Sequence, residues 1–184
     1  GRVIESFYRF NLDPSDKVVA QFHEWMTGTG LLYLKSANVP IATVFTTHAT
    51  VIGRCIAGNN LPLYDGILSY NADEKARQFN VVARHSLEKK AAQNSDIFTT
   101  VSEITAQECR QFLGRPVDVV TPNGFEPSFT PATDEEYIVL REKARQRLVT
   151  VASAMCGEEV PENAVLVGIG GRYEWKNKGI DVFI

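Results

Sequence analysis

The 184-residue chain is long enough for one domain, or for one domain and part of a second. Its hydrophobic content of 44% and charged content of 22% are typical of a soluble globular protein and exclude a disordered one. The net charge of −3 argues against a nucleic-acid-binding protein, because phosphate contacts need a local excess of Lys and Arg.

The sequence predicts no membrane span, because no stretch approaches about 20 uncharged apolar residues. The three cysteines, Cys55, Cys109 and Cys156, are widely spaced, and this pattern favours a reducing cytoplasm over a disulfide framework. The chain begins without Met and without a signal peptide, and it ends inside an apolar run. Both ends therefore predict a piece of a longer protein.

Short β-rich segments alternate with helical ones along the chain. The sequence predicts strands over residues 17–22, 40–46, 96–101, 116–121 and 164–169. It predicts helices over residues 28–37, 73–93 and 135–155, with a further helix beginning near Ile180. Asp73 is the predicted N-cap of the second helix, and either Ser102 or Thr105 caps a helix after the third strand.

The alternation of helices with apolar strands predicts a parallel sheet covered on both faces, a Rossmann-like doubly wound α/β architecture. Residues 125–134 contain two prolines and little periodicity, so they predict a crossing between domains. We therefore assign residues 1–130 to one domain and residues 131–184 to the beginning of another.

Polar residues follow every predicted strand, at the sheet edge where such folds bind ligands. They are His23 and Glu24, Thr47 and His48, Ser102 and Glu103, Asn123, and the turn from Arg172 to Lys178. Each also has a structural interpretation: a histidine near a strand end is usually a satisfied structural residue, Glu24 is placed to cap a helix, and Asn123 begins a common Asn-Gly turn. Their shared edge favours the functional interpretation.

The turn from Arg172 to Lys178 precedes the last predicted helix. Arg offers a planar fork for phosphate oxygens, Lys adds a compact charge, and a helix N-terminus favours anions. The turn therefore predicts a diphosphate grip, with ordinary surface charge as the alternative. No metal ligand is predicted, because the sequence has neither a zinc-protease His pair nor a Cys-x-x-Cys pair. It also lacks a complete dinucleotide fingerprint and a phosphate loop.

Five segments in residues 22–183 resemble glycogen synthases of the animal and fungal type. In chain order they are FHEWMTGTGL, FTTHATVIGR, FTTVSEITAQE, VTPNG and GRYEWKNKGIDVF. Bacterial-type starch and glycogen synthases share the architecture but are less similar in these segments. The short segment between Asn123 and Ala164 nevertheless fits a compact, bacterial member.

The resemblance implies a GT-B glycosyltransferase fold, in which two doubly wound domains face each other across a cleft. Residues 1–130 are then the C-terminal portion of the acceptor-side N-terminal domain, and residues 131–184 begin the nucleotide-sugar-binding C-terminal domain. Intact members transfer glucose from UDP-glucose to the non-reducing end of an α-1,4-glucan, with retention and without a metal or other cofactor. The resemblance thus implies nucleotide-sugar and α-glucan partners, a cytoplasmic location and a homo-oligomeric parent protein.

Four residues match the family's catalytic positions. By resemblance, Arg172 and Lys178 bind the UDP diphosphate and stabilise the charge of the leaving group. His48 lines the glucose pocket, with its side chain and its backbone carbonyl near the sugar. Glu24 lies at the floor of the donor–acceptor cleft, where it either contacts sugar or orients neighbouring loops.

The predicted substrate-binding set comprises Arg54, Asn123, His23 and Thr47. Arg54 and Asn123 match positions near the donor phosphates and the domain crossing, and His23 and Thr47 adjoin the two catalytic residues Glu24 and His48. The family's glycine-rich donor loop and its paired C-terminal glutamates match no segment of this sequence. The isolated chain is therefore predicted to be inactive.

Two alternatives stay open at this point. One is a non-catalytic sugar-binding or scaffold protein that has the same fold. The other is a related retaining glycosyltransferase with a different donor, such as ADP-glucose, because base selectivity belongs to the domain that this chain only begins.

Overall fold

The computed structural model describes residues 1–176 and 178–184. One compact unit comprises residues 1–123, 174–182 and 184, and another comprises residues 124–173 and 183. The predicted domain boundary at residue 130 concerns the longer protein and stays a prediction.

A parallel four-stranded sheet lies at the centre of the first unit. Its strands are β1 (Val19–His23), β2 (Ala42–Thr47), β3 (Ile97–Thr100) and β4 (Val119–Val120), in the spatial order β1-β2-β3-β4. The register places His23, Thr46 and Thr99 side by side across the first three strands. The predicted parallel α/β architecture is confirmed, and it is consistent with a fragment of the Rossmann-like GT-B fold.

Helices connect these strands. They are α1 (Arg2–Asn11), α2 (Glu24–Ser36), α3 (Val51–Gly58), α4 (Ala72–Gln78), α5 (Val82–Asn94), α6 (Glu103–Glu108), α7 (Asp134–Cys156) and α8 (Ile180–Phe183). A π-helix, Cys109–Leu113, continues α6, and Ser102 is the residue that caps α6. The apolar patterns predict neither α1 nor α3. Within the described residues, no helix combines the length and apolar character that crossing a membrane requires.

The helix predicted over residues 73–93 is in fact the two helices α4 and α5. Asn80 lies in the break with φ 55°, a left-handed conformation that ends a helix. The predicted cap Asp73 is wrong, because Asn71 caps α4 through its side-chain oxygen. Asp73 instead lies 3.2 Å from the ammonium group of Lys89.

The strand predicted over residues 164–169 is also wrong, since this segment has no regular structure. A strand obtains its hydrogen bonds from a neighbour, and no described strand pairs with it. Val165 is accordingly 87% exposed. No described strand therefore places the turn from Arg172 to Lys178 at the sheet edge. Asn177 in that turn lies outside the described residues.

The core of the first unit lies between one face of the sheet and the helices α2 and α5. Phe22, Phe45 and Phe98 point to this side and are at most 5% exposed. The rings of Phe45 and Phe98 stack with centroids 5.9 Å apart. Leu31 and Leu34 of α2 complete the contact, so the sheet and α2 are fixed against each other by aromatic and aliphatic packing.

The opposite face of the sheet is partly open. Val19, Ile97 and Val119 on this face are 64%, 42% and 50% exposed. Thr46 and Thr99, which also lie on this face, are buried, so only part of it is exposed. Cover of both faces by helices stays a prediction.

Two aspartates fix the beginnings of neighbouring strands. Asp96, directly before β3, accepts the backbone N–H of Thr43 at 2.7 Å and pairs with Lys35 at 2.6 Å. Asp118, directly before β4, accepts the backbone N–H of Phe98 at 2.7 Å. Each carboxylate therefore joins its own strand to the adjacent one.

The second unit is built around α7, which confirms the helix predicted over residues 135–155. Thr133 caps its first turn, and none of its residues is buried. The Arg145 guanidinium donates hydrogen bonds to the carbonyl oxygens of Glu162 and Ala164. This contact fixes the segment after α7 along the helix.

Candidate active site

The carboxyl ends of β1 and β2 bring together four of the predicted site residues: His23, Glu24, Thr47 and His48. His23 is the last residue of β1, and Thr47 is the last residue of β2. Nδ1 of His23 lies 3.1 Å from Nε2 of His48, with the ring centroids 5.4 Å apart. One of these nitrogens carries a proton and donates a hydrogen bond to the other, so the two imidazoles orient each other.

Glu24 holds the loop that follows β2. Its Oε1 atom accepts the backbone N–H of His48 at 2.9 Å. Glu24 also has φ 63°, a left-handed conformation that is uncommon for a residue other than glycine. Strained backbone of this kind concentrates at functional sites. The structure thus shows Glu24 orienting the loop, and its contact with a sugar stays a prediction.

Two buried glutamates anchor the same loop, residues 47–51, from the side of the core. They are Glu88 of α5, which is 0% exposed, and Glu108 of α6, which is 4% exposed. Glu88 Oε2 accepts the backbone N–H of Val51 at 3.0 Å. Glu108 Oε2 accepts the hydroxyl of Thr50 at 2.7 Å. The loop that carries His48 is therefore held by buried carboxyl groups at its second half.

Thr50 links the loop to α3. Its Oγ1 accepts the backbone N–H of Gly53 at 2.9 Å, which caps the helix, while its own proton is donated to Glu108. A Cβ atom on Gly53 would overlap the Glu108 carboxylate, so this glycine gives the carboxylate its space. Tyr64 donates to the other Glu108 oxygen at 2.9 Å, which leaves Glu108 surrounded by donors.

Thr47 has a different environment. Its Oγ1 atom lies 3.2 Å from the carbonyl oxygen of Ala49 and 3.2 Å from Oε1 of Glu88. Its backbone carbonyl accepts the hydroxyl of Thr100 at 2.7 Å. A single hydroxyl proton thus faces two oxygen atoms.

Burial raises the pKa of Glu88 from 4.5 to about 8. The hydrogen bonds from Val51 and Thr47 act against this shift, whereas the negative charges of Glu24 and Glu108 add to it. Within the described residues, no cation forms an ion pair with Glu88. Burial without a cationic partner therefore disfavours the charged form of Glu88.

The other four predicted site residues lie on other segments of the chain. Arg54 is exposed on α3, and Asn123 is exposed three residues after β4. Arg172 is exposed in the second unit. Lys178 is exposed in the first unit, where its backbone N–H donates to the carbonyl of Glu174 at 3.0 Å. Their roles stay predictions.

Glu88 and Glu108 were not predicted from the sequence, because each lies on a helix rich in polar residues, a composition typical of solvent-exposed helices. A signal was present on α5, where His85, Glu88, Ala91 and Ala92 are the buried residues. This spacing of three and four residues places Glu88 on the face of α5 that the small alanines turn toward the core. A charged residue on such a face is a candidate for a functional or positioning role.

A groove of about 590 Å³ lies beside α6 and β4. Its lining includes Ile67, Leu68, Arg110 and Val119, and it contains none of the eight predicted site residues. The described residues contain no group of three side chains suited to hold a metal ion. The polar cluster after β1 and β2 is therefore the candidate active site on its chemistry rather than on the size of a cavity.

Comparison with known proteins agrees with the resemblance. The family described as Glycogen synthase matches residues 2–184. Glycogen [starch] synthase of Dictyostelium discoideum is 38% identical over 179 residues, which is 94% of this chain and 20% of that protein.

Two further relatives come from mammals and fungi. Glycogen [starch] synthase, liver, of Rattus norvegicus is 39% identical over 169 residues, 91% of this chain and 24% of that protein. Glycogen [starch] synthase isoform 2 of Saccharomyces cerevisiae is 36% identical over 177 residues, 95% of this chain and 25% of that protein. The chain thus spans a fifth to a quarter of the length of these relatives. Because the family match covers nearly all of its residues, this chain belongs to the glycogen synthase family.

Proposed function

We propose that this chain is part of a longer glycogen synthase, which transfers glucose from UDP-glucose to the non-reducing end of an α-1,4-glucan with retention. The family match over residues 2–184 carries this proposal. The longer protein works without a metal or other cofactor, in the cytoplasm and as a homo-oligomer. Its partners are the nucleotide sugar and the glucan.

His48 and Glu24 form the sugar-facing wall in this proposal. The His48 side chain and backbone carbonyl face the glucose, and the carbonyl favours an oxocarbenium-like centre because its oxygen carries partial negative charge. Glu24 fixes the His48 backbone through the 2.9 Å hydrogen bond to its N–H. His23 orients the His48 ring from the neighbouring strand end, and Thr47 begins the loop.

Arg172 and Lys178 bind the diphosphate and stabilise the negative charge that develops on the leaving UDP. Arg54 and Asn123 lie near the donor phosphates and the domain crossing. Support for these four roles comes from their positions in the family segments.

The test compares the longer gene product with the 184-residue chain. We expect the longer protein to incorporate glucose from UDP-glucose into glycogen, with ADP- and GDP-glucose as donor controls. The 184-residue chain should give no incorporation above a heat-killed control, because an enzyme that positions reactants between two walls loses about 7–11 kcal/mol of proximity effects without one of them. A longer protein that binds glucan but transfers no sugar from any donor would favour the non-catalytic alternative.

A further inference from the structure

The hydroxyl of Thr47 has one proton and two oxygen neighbours. The carbonyl of Ala49, at 3.2 Å, only accepts. Glu88 Oε1, also at 3.2 Å, accepts if the side chain is ionised and donates if it is protonated. With an ionised Glu88, the single Thr47 proton serves either the buried Glu88 oxygen or the half-buried Ala49 carbonyl, but not both.

A proton on Glu88 Oε1 removes this conflict. Glu88 then donates to Thr47 Oγ1, Thr47 donates to the Ala49 carbonyl, and Glu88 Oε2 still accepts the Val51 N–H at 3.0 Å. Every polar atom in the chain of contacts has a partner. Buried polar groups in native proteins are almost always paired in this way.

We propose that Glu88 is a positioning residue that works as a neutral carboxylic acid, whose proton completes a hydrogen-bond relay through Thr47 to Ala49 and so fixes the loop that carries His48. The step is an equilibrium protonation, in which an O–H bond forms at Oε1 with a proton that hydronium releases, leaving water. The effect on sugar transfer rests on the proposed function, whereas the protonation of Glu88 does not.

The groups around Glu88 agree with a neutral side chain. Glu24 of α2 and Glu108 of α6 are the charged groups that act on it, and both oppose a second negative charge. Cys109, at the start of the π-helix, faces the same region and adds no charge there, because burial raises the pKa of its thiol to about 12. On α5 itself, His85 and Lys89 contact Asp73 rather than Glu88.

Glu108 provides the matched contrast. Its Oε2 faces the hydroxyl and backbone N–H of Thr50, and its Oε1 faces the hydroxyl of Tyr64. The Thr50 hydroxyl oxygen accepts the Gly53 N–H, so the hydroxyl proton is available to Glu108. All three contacts suit an ionised acceptor. Glu88 and Glu108 hold the same loop, but the contacts of Glu88 suit a protonated side chain and those of Glu108 suit an ionised one.

The direct test is the infrared spectrum of the protein near neutral pH. We expect the carbonyl stretching band of a protonated carboxylic acid in the wild type. The band should be lost in Glu88→Gln and retained in Glu108→Gln. Absence of the band in the wild type, or its loss in Glu108→Gln alone, would overturn the proposal, whatever the enzymatic activity of the longer protein.

The stability of the fold gives a second readout. Because the pKa of Glu88 is raised from 4.5 to about 8, the folded chain holds a proton that the unfolded chain releases between these values. The Glu88 contribution to the free energy of unfolding is therefore greatest below pH 4.5 and falls as the pH rises to about 8. Glu88→Gln removes this fall, and an unchanged pH dependence in that variant would contradict the inference.

Kinetics of the longer protein separate positioning from mere stability. In the wild type, loss of the Glu88 proton at alkaline pH should raise the KM for the donor. An amide at position 88 can donate to Thr47 and accept from Val51 at any pH. Glu88→Gln should therefore keep the neutral-pH KM and show a smaller rise of KM at alkaline pH. Glu88→Ala should raise the donor KM about tenfold, as expected for the loss of one buried hydrogen bond. Equal KM values for the Gln and Ala variants would contradict the relay. Glu74→Gln, at an exposed position of α4, is the control.

Discussion

Thr50 performs two tasks with one hydroxyl group. Its oxygen accepts the Gly53 N–H and caps α3, and its proton is donated to the buried carboxylate of Glu108. The residue therefore joins the loop after β2 to both the following helix and the core. This dual use explains why a small hydroxyl residue is suited to the end of the THAT segment.

Replacing Thr50 with Ala should lower the free energy of unfolding by about 2–3 kcal/mol, from the lost cap and the lost bond to a buried carboxylate. Thr50→Ser keeps the hydroxyl and should lose about 1 kcal/mol, from one methyl group. Urea denaturation of both variants measures the difference. Equal stabilities for the two variants would show that the hydroxyl is not what stabilises this loop.

The polar loop residues were predictable from the sequence as residues, but their contacts were not. His23, Glu24 and His48 follow strands, and this order alone places them at one edge of a parallel sheet. Their mutual hydrogen bonds occur together with a left-handed backbone at Glu24, which no local pattern indicates for a glutamate. Glu88 was hidden for a related reason, because a charged residue on a helix is usually solvated.

At the scale of elements, Asp96 connects three of them. Its carboxylate pairs with Lys35 of α2 and accepts the backbone N–H of Thr43 in β2, while its own chain enters β3. Hydrogen bonding to Lys35, and next to the backbone and side chain of Thr43, keeps the pKa of Asp96 below its ordinary value. The aspartate therefore sets where β2 and β3 begin relative to each other.

Asp96→Ala should destabilise the chain by about 1 kcal/mol, since the carboxylate is half exposed and its bonds are partly replaced by water. Because the folded pKa is lowered, the Asp96 contribution is present above pH 3.8 and is lost as the pH falls through the lowered value. The stability difference between wild type and Asp96→Ala should thus shrink in acid. Asp65→Ala, at an exposed loop position, serves as the control for removal of an aspartate.

Strands were predicted correctly where the structure supplies a neighbouring strand for pairing. The predictions of β1, β2 and β3 were correct because each apolar run pairs with a neighbouring strand and packs against helices. The run over residues 164–169 has the same composition, but no described strand pairs with it. The break between α4 and α5 was not predicted because Asn80 is a weaker sequence signal for a left-handed turn than Gly.

At the scale of the whole chain, the two units differ in how much they bury. The first unit has fully buried residues on its strands and on α2, α3 and α5, whereas α7 in the second has none. Local opening requires little free energy where few apolar contacts must break. The second unit should therefore open far more often than the first.

Limited trypsin digestion should cut residues 124–173 first and leave a protected fragment that contains residues 1–123. Exposed basic residues occur in both units, for example Lys90 and Arg110 in the first and Arg141 and Lys143 in the second, so the protease has comparable targets. Mass spectrometry of early products identifies the cuts. Early cleavage at Lys90 or Arg110 would contradict the difference in stability.

The sequential strand order leaves β1 as an outermost strand with five residues. It pairs with β2 along one edge, and no described strand occupies the other. A free edge of this length is a template on which a second polypeptide adds by backbone hydrogen bonding, and charges beside it act as gatekeepers against aggregation. Lys17, two residues before β1, is exposed and places such a charge beside this edge, so the solubility of the 184-residue chain at high concentration depends on it.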